Sequence, residues 1–259
     1  MKQDLIKEIR NGSRNSRFLI ILAGFFFFAL STPVMTKIIL PQILKSQMPG
    51  LPEEVMKTMF DMSQIGSLQS YMGDVFEIGS LIVAFTLCGL LAQEIRDHVL
   101  VLPLCAGKRY SSIVLAKLIV FGLTLLLIPT IALLASYVYS GLLFTFEVGV
   151  LPVLVGGLLQ GLFMLFLLSC LLLLGAWMKK PVAAGILSLL GVYGIHFIGG
   201  LFRIHEYLPS GLLVEAQKLS ETPPLSLLWT VLITMVLITG MAVLTVVRLR
   251  HLEWQARAN

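Results

Sequence analysis

The chain has 259 residues and a net charge of +5, and 57% of its residues are hydrophobic whereas only 13% are charged. Its mean hydropathy is +0.92. So few charged side chains cannot cover the surface of a water-soluble domain of this length, which excludes an ordinary soluble protein. The composition predicts an all-α, polytopic membrane protein in which residues 1–259 form a single transmembrane domain.

Apolar runs of membrane-spanning length occur six times along the chain. The segment 1–17 precedes them and places Leu5, Ile6 and Ile9 on one helical face among basic residues, which is typical of an interfacial helix; a frayed tail is the alternative. The six predicted transmembrane helices cover residues 18–40, 75–92, 112–139, 150–178, 182–201 and 225–247. Between them we expect an outer loop at 41–74 and a cytoplasmic loop at 93–111.

The distribution of basic residues predicts the orientation, because positively charged loops resist translocation. With a cytoplasmic N-terminus, 14 of the 19 Lys and Arg residues fall on the cytoplasmic side. They are Lys2, Lys7, Arg10, Arg14, Arg17, Arg96, Lys108, Arg109, Lys117, Lys179, Lys180, Arg248, Arg250 and Arg257. We therefore expect a multi-pass protein of the plasma membrane with both termini in the cytoplasm. Its basic excess can meet anionic membrane lipids and requires no nucleic-acid partner.

Motifs for catalysis or metal binding are absent from the sequence. The segment CAGKRYS contains a Gly-Lys pair, but a P-loop requires glycine where Leu102 stands and Ser or Thr where Arg109 stands. The sequence has no HExxH or GxSxG motif, and its four histidines show no ligand spacing. We expect no catalytic residue, no metal site and no cofactor bound by this chain.

The predicted spans contain few polar residues. Gln160 lies near the middle of the fourth span, and His196 lies toward the outer end of the fifth. Both are candidates for lining a pathway, with a hydrogen bond between helices as the favoured alternative. Because ion-coupled carriers need ionisable ligands deep in the bilayer, the scarcity of such groups counts against that class.

A charged strip, AQEIRDHVLVLPLCAGKRY, separates the second and third predicted spans. Ile95, Val99 and Leu102 recur at helical spacing, and we expect Pro103 to end or bend the element. Its neighbouring polar residues are Arg96, Asp97 and His98. The pattern predicts a short amphipathic helix presented to the cytoplasm; the alternative is a helix that re-enters the inner face of the bilayer and has no partner.

The order of residues in and after this strip is a glutamate, a leucine-rich segment, small residues, an arginine and a lysine that opens the next span. These positions are Glu94, VLVLPL at 99–104, Ala106-Gly107, Arg109 and Lys117. The order resembles the second-to-third loop of permease subunits of six-span ABC-type exporters. The chain departs from that family at Asp97-His98, where the family often has Gly-Thr, and at Ala106, where it often has proline. The outer segment after the fifth span, LFRIHEYLPSGLLVEAQKL, resembles the reentrant helices of the same family.

The resemblance implies a permease subunit that is not itself an enzyme, forms the translocation path, and pairs with a second permease copy or a paralogue. The low charge of the spans favours an amphipathic or hydrophobic cargo. The resemblance also implies two copies of a cytoplasmic ATPase, which would bind ATP and Mg²⁺. The strip would then be a coupling helix seated on the ATPase. Its contacting residues would be Glu94, Arg96, Asp97, His98 and Arg109, with Val99 and Leu102 filling the pocket. A non-transporting assembly or immunity protein and an ion-coupled carrier remain as alternatives.

Overall fold

The structure, a computed structural model, describes residues 2–47, 61–202, 204–220 and 225–251, and most of these residues are helical. The α-helices are Lys2–Arg14, Arg17–Val34, Leu40–Gln47, Gln64–Asp74, Ser80–Leu87, Gly89–Arg96, Val101–Cys105, Tyr110–Leu143, Val150–Met178, Pro181–Phe202, Gly211–Lys218 and Leu225–Arg250. Met35–Ile39 and Val75–Gly79 are π-helical turns, and His205–Tyr207 is a 3₁₀ turn. No strand occurs within these ranges, in agreement with the predicted all-α class.

Six helical stretches are long and apolar enough to cross a bilayer, as predicted, and they identify a multi-pass membrane protein by length and composition. We number them spans 1 to 6: Arg17–Ile43, Gln64–Arg96, Tyr110–Leu143, Val150–Met178, Pro181–Phe202 and Ser226–Arg250. The helix Lys2–Arg14, which precedes span 1, is called the amino-terminal helix below.

Span 2 begins eleven residues before the predicted start, inside the segment 41–74 that was predicted as an outer loop. Its first turn is capped by Ser63, whose hydroxyl accepts a hydrogen bond from the Gly66 nitrogen at 3.1 Å. Polar residues of this turn pack into the bundle, since Gln64 donates to the Tyr137 carbonyl at 3.2 Å. These tertiary hydrogen bonds explain why a polar sequence is helical here. Residues 41–47 are also helical, and 48–60 lie outside the described residues.

Span 4 forms the centre of the bundle and packs closely against span 3. Span 4 has 72% of its apolar window buried, compared with 28% for span 1 and 22% for span 6. Glycines permit the close contact of spans 3 and 4, because a Cβ at Gly157 would lie 2.8 Å from the Thr130 Cα, and one at Gly161 would lie 2.8 Å from the Leu126 Cα.

Three contacts show which helix ends lie together. The rings of Phe18 and Phe121 are 5.4 Å apart, joining the start of span 1 to span 3. The Arg248 guanidinium lies 5.5 Å from the centre of the Trp177 ring, joining the ends of spans 6 and 4. A Cβ at Gly175 of span 4 would lie 3.3 Å from the nitrogen of Ala92 in span 2. This end of the bundle, called the basic end below, therefore gathers the residues predicted to face the cytoplasm.

A short helix, Gly211–Lys218, follows span 5 at the opposite end. Leu212 and Ala216 of this helix are buried, and the Ala216 carbonyl faces Gly156 of span 4. The segment predicted to be reentrant therefore contains a helix packed on the bundle. Its entry into the bilayer stays a prediction.

Candidate functional site

The chain between spans 2 and 3, residues 97–109, forms a structured loop at the basic end, called the connecting loop below. The backbone turns sharply at His98, whose φ of 54° is in the left-handed region that non-glycine residues rarely adopt. A five-residue helix, Val101–Cys105, follows and contains no buried residue. The sequence prediction of a short element on a loop at this position agrees with the described backbone.

The form of that element differs from the prediction. Helical spacing predicted that Ile95, Val99 and Leu102 share one helix, whereas the structure ends the helix of span 2 at Arg96 and starts a new one at Val101. Pro103 is the third residue of the new helix. Proline is tolerated there because the backbone N–H groups of a first helical turn have no acceptor within the helix.

Among the larger apolar residues of the connecting loop, Leu100 is buried, Val101 and Leu104 are partly exposed, and Val99 and Leu102 are exposed. Leu100 is 1% exposed and fixes the loop to the bundle, whereas Val99 is 48% and Leu102 is 82% exposed. Burial of a leucine side chain is worth roughly 1.5–3 kcal/mol. The loop therefore exposes the apolar side chains of Val99 and Leu102, while the burial of Leu100 fixes its backbone to the bundle.

Six of the seven residues predicted to contact a partner are exposed on or beside the connecting loop: Arg96, Asp97, His98, Val99, Leu102 and Arg109. Within this group the Arg96 Nε lies 3.0 Å from Asp97 Oδ1. Glu94, the seventh, is mostly buried and forms ion pairs within the chain. The structure thus separates Glu94 from the exposed set and gives it neighbours that sequence reasoning did not assign to it.

The neighbour of Glu94 is Lys117, which is fully buried in the second turn of span 3. The Lys117 Nζ donates a 2.9 Å hydrogen bond to Glu8 Oε1 and lies 2.9 Å from Glu94 Oε2. The second contact is an ion pair rather than an aligned hydrogen bond, since Oε2 has no partner at hydrogen-bonding angles. Two carboxylates therefore hold the Lys117 ammonium group inside the bundle.

The amino-terminal helix supplies one of these carboxylates and a second connection to the loop. Glu8 and Asp4, one helical turn apart, both lie on its buried face. Lys108 of the connecting loop donates to Asp4 Oδ1, and the Ser112 hydroxyl donates to Asp4 Oδ2 at 2.8 Å. Lys7 adds a 3.4 Å ion pair to Glu94. We call Asp4, Lys7, Glu8, Glu94, Lys108 and Lys117 the ion cluster.

At the edge of the ion cluster the pKa of Asp4 is shifted by its lysine partner, whereas polar atoms near the centre lack a hydrogen-bond partner in the described part of the chain. The hydrogen bond from Lys108 lowers the pKa of Asp4 from 3.8 to about 2, and this outweighs the opposing effect of burial. In contrast, Glu8 Oε2 and Arg17 Nη1 are buried and have no hydrogen-bond partner among the described residues. These two side chains carry opposite charges and attract each other without forming a hydrogen bond.

The cluster was missed because its pairs are far apart in sequence. Glu8 and Lys117 are separated by 109 residues, and Lys7 and Glu94 by 87. One signal was present: the acidic residues Asp4 and Glu8 are four apart and avoid the face of Ile6 and Ile9. That spacing shows a second, acidic face suited to contact with lysines.

The two polar residues considered for a pathway contact the same region of span 2. Gln160 is fully buried and donates to the Met72 carbonyl at 3.1 Å, so it forms the interhelical hydrogen bond given as the favoured alternative. The His196 ring is half-buried, 4.7 Å from the Phe76 ring and 5.6 Å from the His205 ring. A pathway role for either residue stays a prediction.

Comparisons with known proteins give no family for this chain: no protein-family model, no curated protein and no solved structure matches it. Within the described ranges, no three His, Cys, Asp or Glu side chains are grouped so that they could hold a metal ion. The candidate site is therefore defined by its geometry, which combines an exposed apolar loop with a buried ion cluster behind it.

Proposed function

We propose that this chain is the membrane-spanning permease subunit of an ATP-driven ABC-type exporter, and that the connecting loop couples it to a separate cytoplasmic ATPase. In this role the chain hydrolyses no nucleotide itself; ATP and Mg²⁺ are bound by two copies of the ATPase. The basic end faces the cytoplasm, and the protein lies in the plasma membrane. A second permease copy or a paralogue completes the translocation path for an amphipathic or hydrophobic cargo.

The observation that carries this proposal is the 82% exposure of Leu102 on a loop whose neighbouring Leu100 is buried. An exposed leucine is common on protein surfaces, but here it is on a short helix whose residues are all at least partly exposed. A fixed loop that presents apolar side chains beside charged ones suits a docking contact with an apolar centre and a polar rim. Leu102 and Val99 then supply most of the affinity, since exposed ion pairs contribute little.

The ion cluster supports the transmission of force from that contact. Glu94 lies near the end of span 2, Lys117 near the start of span 3, and Lys108 within the loop; all three contact the amino-terminal helix or its carboxylates. A displacement of the connecting loop therefore acts on two spans and one interfacial helix together. Packed elements of this kind convert a small local shift into relative movement of helices.

The proposal is tested by co-expressing the chain with candidate ABC-type ATPases from the same organism and purifying the complex in detergent. We expect Leu102→Asp to reduce recovery of the ATPase at least tenfold, because the variant places a charge in an apolar contact. The matched control is Lys180→Asp, which introduces the same carboxylate at an exposed position of the basic end but outside the loop. It is expected to leave recovery unchanged.

Cys105 provides a second measurement that needs no variant. It is the exposed cysteine of the loop helix, whereas Cys88 and Cys170 are buried. A polar maleimide should label Cys105 in the permease alone, and the bound ATPase should block this labelling. The proposal is contradicted if the ATPase binds and leaves Cys105 fully reactive.

Two other outcomes select the alternative functions. Recovery of no nucleotide-hydrolysing partner from native membranes favours a non-transporting assembly or immunity protein. Cargo movement in vesicles that contain this chain alone, driven by a proton or sodium gradient, favours an ion-coupled carrier.

A further inference from the structure

A groove of about 610 Å³ lies at the basic end between the amino-terminal helix and the end of span 2. Ser16, with a φ of 54°, turns the chain between the amino-terminal helix and span 1. One wall of the groove is formed by the amino-terminal helix, and the other by Gly89, Gln93 and neighbouring residues. The ion cluster holds these two walls together through Glu94.

Basic side chains outnumber acidic ones in this groove. The charged residues that line it are Lys7, Arg10, Arg14, Arg17, Glu94 and Asp97. Both carboxylates already have cationic partners at 4.0 Å or less: Glu94 is paired with two lysines, and Asp97 with Arg96. Arg10 and Arg14 have no carboxylate partner among the described residues, whereas Arg17 lies within the electrostatic influence of Glu8 and Glu94.

The three arginines of the groove, Arg10, Arg14 and Arg17, form no ion pair among the described residues. Guanidinium groups bind phosphate in a bidentate manner, and their attraction is stronger in a partly enclosed site than in bulk water. The local charge balance thus fits an anion with oxygen acceptors.

Apolar side chains flank the same arginines. Ile6 is 64% exposed and Ile9 is 52% exposed, and both border a second hollow shared with Arg10 and Arg14. An arginine pair beside unpaired isoleucines suits a molecule that combines an anionic group with hydrocarbon chains. A soluble anion would leave this apolar face in water.

We propose that the groove binds the phosphate group of an anionic phospholipid, with phosphatidylglycerol as the representative of that class, while Ile6 and Ile9 contact its acyl chains. The lipid comes from the leaflet at the basic end and fixes the amino-terminal helix against span 2. This binding is independent of the proposed ATPase partner.

The test is native mass spectrometry of the purified full-length chain in detergent, with phosphatidylglycerol and phosphatidylcholine added in equal amounts. We expect one phosphatidylglycerol per chain to be retained in preference to phosphatidylcholine. Arg10→Gln combined with Arg14→Gln should weaken retention about 30-fold, given the usual contribution of each basic residue at an anionic lipid surface. The control Lys179→Gln with Lys180→Gln removes the same charge from exposed sites outside the groove and should retain the lipid.

Three outcomes would overturn the proposal. Equal retention of the two lipids by the wild-type chain would show that the groove does not select the anionic headgroup, and this comparison requires no variant. Equal loss in the arginine and lysine pairs would show a nonspecific charge effect. Displacement of the lipid by millimolar inorganic phosphate would assign the groove to a soluble anion.

Discussion

Replacing Lys117 with methionine removes the cation shared by two buried carboxylates while keeping a side chain of similar length. Breaking a buried ion pair by removing one partner typically destabilises a protein by about 3–5 kcal/mol, because the remaining charge is uncompensated. Here Lys7 still lies 3.4 Å from Glu94, whereas Glu8 keeps only the more distant charge of Arg17, so Glu8 bears most of the penalty. We expect the Lys117→Met variant to be less stable than the wild type.

Protonation sets a ceiling on this penalty and makes it depend on pH. Protonating a glutamate in water takes about 3.7 kcal/mol at pH 7 and about 1 kcal/mol at pH 5. A carboxylate that loses its cation can become neutral at that free energy instead of remaining charged. The expected destabilisation is therefore about 3–4 kcal/mol at pH 7 and about 1 kcal/mol at pH 5.

Thermal unfolding of the chain in detergent is followed by the loss of its helical circular-dichroism signal, which does not depend on thiolate reactivity and can therefore be compared at pH 7 and pH 5. For a chain of this size the Lys117→Met midpoint should fall by roughly 10 °C at pH 7 and by roughly 3 °C at pH 5. The same deficit at both pH values, or none at pH 7, would refute the buried pairing.

A second variant separates the lost cation from lost packing. Lys117→Met combined with Glu8→Gln removes the cation together with the carboxylate that depends on it most, and Glu94 keeps Lys7 at 3.4 Å, so this double variant should recover more than half of the lost stability. If the double variant is less stable than Lys117→Met alone, packing rather than charge controls the site.

Two further predictions concern the edge of the ion cluster and the centre of the bundle. Lys108 holds the pKa of Asp4 near 2, below its ordinary 3.8. The stability lost in Asp4→Asn, measured as the difference in unfolding midpoint from the wild type, should therefore be constant from pH 7 to 5 and should shrink as the pH falls from about 4 toward 2. A difference that grows with acid would contradict this. Gly161→Ala should destabilise the chain by about 1–3 kcal/mol in the same unfolding assay, because its Cβ would lie 2.8 Å from the Leu126 Cα. The control Gly240→Ala should be neutral, because no neighbouring element of the described chain lies within 4 Å of its added Cβ. Equal effects of the two variants would show that the contact of span 4 with span 3 is looser than in the structure.

The sequence predicted the spans well because an apolar run of sufficient length has few structural alternatives. It failed at the start of span 2, where Gln64 and Ser63 resemble loop residues. Their polar groups are satisfied by Tyr137 across the bundle and by the first helical turn, neither of which local composition can show. Tertiary hydrogen bonds therefore decided the secondary structure at that end.

The candidate site was predictable in position but not in organisation. Charge in an apolar chain located the connecting loop, and helical spacing selected Val99 and Leu102, which the structure exposes; their contact with a partner stays a prediction. The same spacing wrongly joined them into one helix with Ile95, because periodicity does not detect a left-handed residue such as His98. Glu94 was assigned to the exposed surface because its lysine partners are distant in sequence.

The ion cluster and the exposed loop make different contributions, and their arrangement shows why both occur at one end. A well-packed apolar cluster would hold the amino-terminal helix at least as firmly, so stability alone does not account for buried charges. Unlike apolar contacts, ion pairs link particular side chains. Glu94 on span 2 and Glu8 on the amino-terminal helix share one Lys117 from span 3. In the proposed permease, a loop pushed by its ATPase cannot move one of these helices without changing the pairing of the other two, so the cluster makes three elements respond as a unit.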